Sequence, residues 1–208
     1  MKTLSIFIAL ACMSLAGYSQ NNNNGIEPPK PIDQSKFSIG FKGGYGHSFI
    51  TPYQKPMFFH SWDAGISAVY APWQHWGIEA DAIYSEEGAK FKHRASSEDH
   101  EQTRVVFLDY IRVPVKAVYF FNTYENDFRP KVTLGPTVGF LIDETNSRNA
   151  SAVDFGATAT LGFNYRLAKA VWLNVDADYY QGLVDVYPGS DNNMMGNLRL
   201  NMGVNFGF

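Results

Sequence analysis

Residues 197–208 read NLRLNMGVNFGF, and their alternation decides the fold. Leu198, Leu200, Met202, Val204, Phe206 and Phe208 fall on one face of an extended chain, while Asn197, Arg199, Asn201, Gly203, Asn205 and Gly207 fall on the other. A period of two is the mark of a strand with one apolar and one polar face. Upstream, the same pattern sets Val171, Leu173, Val175, Ala177 and Tyr179 against Trp172, Asn174, Asp176, Asp178 and Tyr180. It recurs over 153–166, 131–140, 111–119, 76–85 and 62–70, and begins with Phe37, Ile39 and Phe41.

The connections alternate between longer and shorter. Residues 46–61 read as a loop rich in aromatics, with His47, His60 and two prolines; 92–103 is charged and has no apolar face; 143–151 and 184–193 are polar. Between them lie shorter turns at 71–75, 121–128 and 167–169. The even strand count is what a single-chain outer-membrane barrel requires. With the amino terminus in the periplasm, the longer connections would face outward.

At 208 residues the chain is one domain by length. Charged residues are 18% with a net charge of -3, so nothing points to nucleic acid, and 15% aromatics with 18 glycines suit an all-β protein. Lys2, the apolar run 4–15 and Gly17-Tyr18-Ser19 have the layout of a secretory signal peptide, with cleavage expected after Ser19. Cys12, the only cysteine, sits inside that run with its leucine misplaced for a lipoprotein signal, so the mature chain carries no disulfide. Residues 20–35 are Asn- and Pro-rich and read as a flexible leader, leaving 36–208 as the barrel domain. No mature segment reaches the roughly 18 consecutive apolar residues of a spanning helix. A membrane form must therefore be a closed barrel, which satisfies its own backbone polar groups.

Parity alone does not say whether the apolar face is a core or a lipid-facing surface. Two features favour lipid. The polar face is mostly Gly, Ser, Thr, Asn and Asp, which suits a crowded interior better than a solvated exterior. Aromatics of the apolar face lie near strand ends, as in Trp62 with Tyr70 and Trp76 with Tyr84, the placement of interfacial girdles. The reading is an eight-stranded antiparallel up-and-down transmembrane β-barrel with a plugged, polar interior. That interior would hold Asp63, Glu79, Asp81, Asp154, Asp176 and Asp178 with Lys42, Arg112, Lys116, Lys131, Arg166 and Arg199. Buried charges need partners. Glu79 and Asp81 lie on the strand next to that of Arg112 and Lys116, and Asp176 and Asp178 lie next to Arg199, which neighbours Lys42 across the closure, so the distribution can supply those partners.

The stretches GIEADAIYSEEGAKF (77–91), DYIRVPVKAVYFF (109–121) and RPKVTLGPTVGFL (129–141), with YYQGL (179–183) and the closing strand, resemble the PorT-like outer-membrane β-barrel family of Gram-negative bacteria. The family often carries an acid where Arg112 stands. The resemblance implies an outer-membrane location and a closing strand whose terminal aromatic, Phe208, is read by the barrel assembly machinery. It implies fold and place more firmly than activity, and one branch of the family serves protein secretion.

Enzymes that act on lipid exist on such barrels, so nucleophiles need weighing. His47 and Ser48 are adjacent and point oppositely when extended, a poor base and nucleophile. His93, Glu98, Asp99, His100 and Glu101 lack fixed ligand spacing and read as a solvated loop. Glu79 and Asp81 stand two apart among basic neighbours, which favours a structural network. No catalytic, cofactor or metal site is expected. The aromatic segment 48–59, with Phe49, Tyr53, Met57, Phe58 and Phe59 exposed, is the candidate for contact with a partner or with lipid. The expected role is a non-enzymatic envelope protein with a structural or docking function through its outward loops. A component of a secretion or adhesion assembly and a lipid-modifying enzyme are the alternatives.

Overall fold

The structure is a computed structural model that describes residues 36–51, 58–94, 101–146, 149–189 and 193–208; at 91–94 and 101–104 it describes the backbone alone. The signal segment 1–19, the leader up to 35 and loop residues such as Tyr53, Met57, Glu98, Asp99 and His100 lie outside the described residues. Among the described residues the chain forms eight strands: β1 (Phe37–Thr51), β2 (Phe59–Tyr70), β3 (Trp76–Arg94), β4 (Glu101–Phe120), β5 (Phe128–Thr145), β6 (Val153–Ala168), β7 (Val171–Asp185) and β8 (Met194–Gly207). Each pairs antiparallel with its sequence neighbour, and β1 also pairs with β8, so the sheet closes into a barrel. No helix among the described residues is long and apolar enough to cross a membrane, a statement that leaves crossing by strands untouched.

The alternation becomes the two faces of the wall. Phe41, Leu134 and Leu161 point outward and are 70%, 64% and 66% exposed, while Lys42, Lys131, Thr133 and Thr160 point inward and are buried. A folded protein that leaves large apolar side chains bare around its whole girth needs an apolar solvent. Trp73, Trp76, Phe121 and Tyr165 ring the end that carries the short turns, and Tyr45, Phe58, Trp62 and Tyr179 stand toward the end that carries the longer loops.

The strands reach further than their apolar pattern suggests. A strand needs about 9–11 residues to cross the hydrocarbon, whereas β3 and β4 have 19 and 20. Their pairing continues to Arg94 with Glu101, inside the segment expected to be a loop. Likewise 46–51 and 59–61 belong to β1 and β2. Between β2 and β3 the ladder stops at Trp62 and Glu86. Just beyond, Ser48 Oγ donates to the carbonyl of Gly88 (2.8 Å) and accepts from its amide (2.9 Å), occupying backbone groups that β2 no longer reaches.

Candidate functional site

Inward side chains stack in tiers along the bore. At the turn end Val69, Ala71, Val118 and Phe120 form an apolar cluster against Tyr124, whose hydroxyl donates to the carbonyl of Ala71 (2.6 Å). Arg129 lies over the rings of Phe120 and Tyr124, 3.9 and 4.0 Å from their centroids, and donates to the carbonyls of Asn122 and Gln74. Burial pushes the Tyr124 phenol above its ordinary pKa, against the opposing pull of Arg129. Arg166 joins this rim: it pairs with Asp127 (3.3 Å), donates to the carbonyl of Tyr124 and stacks over Trp172.

Next comes a lysine-carboxylate tier. Glu79 accepts from Lys42 (3.2 Å), Lys116 (2.8 Å) and Lys131 (3.3 Å). Asp81 meets Lys42 at 2.7 Å and Lys116 at 3.1 Å, and Asp176 meets Lys131 at 3.0 Å. Asp178 accepts from the amide of Asn201 (2.6 Å). Strands β1, β3, β4, β5 and β7 are thus tied together across the bore.

Above it stands an arginine tier. Arg112 grips Glu87 through Nε (2.6 Å) and Nη2 (2.7 Å) and also reaches Asp154 (2.9 Å). Its guanidinium lies between Tyr110 and Tyr180, 4.5 and 4.1 Å from their centroids, and Tyr180 donates to Asp154 at 2.7 Å. Arg199 pairs with Asp63 (3.1 Å) and donates to Ser85 (2.9 Å). A second apolar cluster closes the loop end: Ile50, Ala89, Val106, Leu108, Tyr110, Tyr180, Val186 and Met195.

Several placements differ from the sequence expectation. Arg112 stands on the strand next to Glu79 and Asp81 but pairs with neither: it is opposite Ile83 in the register, while Lys116 is opposite Glu79. Its acid is Glu87, which periodicity missed because the reading ended that strand at Ser85, before the ladder ends. Arg199 lies opposite Asp178 in the ladder, yet its side chain turns across the bore to Asp63 on β2. Lys42, on the strand across the closure from Arg199, spans from β1 to β3. The interior is also less uniformly polar than expected, because both ends carry apolar clusters.

On the outside, the expected exposed aromatics divide. Phe58 is 62% exposed, Phe49 is half-buried with its ring edge-on to Phe58 (5.8 Å), and Tyr53 lies outside the described residues. Phe59 is a correction: at 7% exposure it is buried, edge-on to Phe107 (5.0 Å), where the long β3 and β4 rise beside it. His47 and Ser48 lie on opposite faces, His47 outside and Ser48 buried, since both belong to a strand. His47 stands directly opposite His60 in the ladder. Among the described residues no three His, Cys, Asp or Glu side chains converge as a metal cluster.

Solved structures of similar fold are OprG from Pseudomonas aeruginosa (TM-score 0.56, 14% identity, covering 86% of this chain and 99% of that one) and Neisserial surface protein A (0.54, 17%, 84% and 98%). Outer membrane protein AlkL, solved in lipid bilayers, is a third (0.51, 17%, 90% and 96%). At these identities the likeness is one of fold. No curated protein matches the chain. Residues 16–187 match the family described as "Outer membrane protein beta-barrel domain". That span is most of the chain, and with a closed barrel whose bare apolar girdle demands lipid, the protein belongs to this family of outer-membrane β-barrels.

Proposed function

We propose that the protein is a non-enzymatic, non-conducting outer-membrane barrel that serves as an envelope structural or docking element through the rim at its loop end. The observation that carries this is the filled bore. Arg112, stacked between Tyr110 and Tyr180 and bound to Glu87 and Asp154, sits under an apolar cluster, with a lysine-carboxylate tier below. An eight-stranded barrel has just enough interior for side chains, so no room is left for solute and the chemistry on offer is that of the outer surface. The partner we propose is an envelope protein or the surrounding lipid, met by Phe58 and the neighbouring segment. The chain would enter the membrane after signal cleavage, handled by the assembly machinery through β8. The motifs at 77–91, 109–121 and 129–141 support a place in the PorT-like family.

Two measurements test this reading. In planar bilayers the purified protein should give no large stable openings, and openings of that kind would overturn the closed bore. Crosslinking and pull-down from envelope fractions should recover a stable envelope partner that Phe58→Ala weakens; recovery of none, with Phe58→Ala lacking any envelope phenotype, would sink the docking role.

A further inference from the structure

His47 and His60 come from a segment that reads as loop, but the fold places them on paired strands, directly opposite each other and both outside the barrel. Their rings are tilted at 50° with centroids 5.1 Å apart. A divalent transition metal binds imidazole nitrogen at about 2.0–2.1 Å, which puts the ion roughly 3.2 Å from the ring centroid. Two rings held at a tetrahedral angle on one ion then stand about 5.2 Å apart, centroid to centroid. The observed separation of 5.1 Å matches that spacing.

The surroundings hold both rings for the task. Tyr45 stacks on His60 and its hydroxyl lies 2.6 Å from Nδ1. With Nδ1–H donating to the phenol oxygen, Nε2 carries the free lone pair, and a second partner of this kind is what orients a metal-binding histidine. His47 is flanked edge-on by Tyr45 (6.1 Å) and Phe58 (6.0 Å), which limits its swing away from His60. The pair is within the β1–β2 ladder, which continues one residue further to Ser48 and Phe59, so both Cα atoms are on rigid backbone. We infer that His47 and His60 chelate a divalent transition-metal ion, zinc or copper, on the outer surface of the barrel at the loop-end aromatic belt. Imidazole suits these ions and not magnesium or calcium, which take oxygen ligands. Two protein ligands leave coordination positions for water or for an anionic group of a neighbouring molecule.

The test uses the untagged chain, extracted in detergent from outer membranes of cells expressing it. The sequence holds five histidines, so a His75→Ala/His93→Ala/His100→Ala background leaves the pair as its only imidazoles. That background should bind one copper ion per chain, with an electron paramagnetic resonance spectrum showing two nitrogens, and one zinc ion by calorimetry. Adding His47→Ala or His60→Ala should weaken binding at least about tenfold and reduce the spectrum to one nitrogen, and Tyr45→Phe should cost about tenfold through the lost orienting bond. Unchanged affinity in either histidine variant, or no stoichiometric binding, would overturn the site. Should the background fail to fold, zinc titration of the wild-type chain followed by nitrogen NMR of its imidazoles decides the matter. Joint shifts of His47 and His60 support the site, and silence of both refutes it.

Discussion

Arg112 shows how much of the interior rests on single side chains. It satisfies Glu87 through two bonds, holds Asp154 through a third and fills the gap between two tyrosines. Gly139 faces it: a Cβ there would come within 2.9 Å of Nη1, so this position leaves the guanidinium its room. Removing one member of a buried ionic cluster leaves the others uncompensated, at about 3–5 kcal/mol. Arg112→Met should lower the urea midpoint accordingly, and Arg112→Lys should rescue little, because an ammonium cannot make the bidentate grip. Combining Arg112→Met with Glu87→Gln should recover part of the loss. Glu79 offers a second comparison. It is shared by three lysines, where Asp81 serves two. Glu79→Gln should therefore be the more destabilising of the pair Glu79→Gln and Asp81→Asn in the same assay; equal effects would argue that the tier does not centre on Glu79.

At the level of elements, the seam between β2 and β3 is the place where the wall depends on a side chain. Above Trp62 and Glu86 the backbone of Gly88 is held by Ser48 Oγ, and Phe59 packs edge-on to Phe107 nearby. Net hydrogen bonds of this kind contribute about 1 kcal/mol each, and a buried group left unmade costs about 1–3 kcal/mol. Ser48→Ala should accelerate amide exchange at Gly88 without changing the exchange of β5 to β7. Uniform acceleration around the barrel would show that the serine supports global stability and not this seam. His47, the next residue, faces out, so the same strand contributes to the wall through one face and to the surface through the other.

For the molecule as a whole, the solvent decides which face is which. Leu134 and Leu161 are bare at mid-strand, and an arginine there should cost about 2–4 kcal/mol if the bilayer midplane lies at that height. Leu161→Arg should reduce folding into lipid vesicles, followed by heat-modifiable migration on gels, while the same substitution at Phe58, on the loop-end rim, should be tolerated. Equal tolerance at both sites would place the apolar girdle outside the hydrocarbon.

Period two in residues 197–208 and its repeats sufficed to determine the number of strands and which side chains share a face, because parity is a local property of the extended chain. It also marked Lys42, Asp63, Glu79, Asp81, Arg112, Lys116, Asp176, Asp178 and Arg199 as belonging to one face, which is the face that lies inside. Who pairs with whom was decided only by the tertiary structure. Ladder stagger puts Arg112 opposite Ile83, and the width of the bore lets Lys42 and Arg199 reach strands they do not adjoin. Strand ends were hidden for a related reason: above the hydrocarbon the outward face no longer needs to be apolar, so alternation fades while hydrogen bonding continues. Glu87 and the His47–His60 pair both lie in those extensions, and only the pairing of neighbouring strands brings them to their partners.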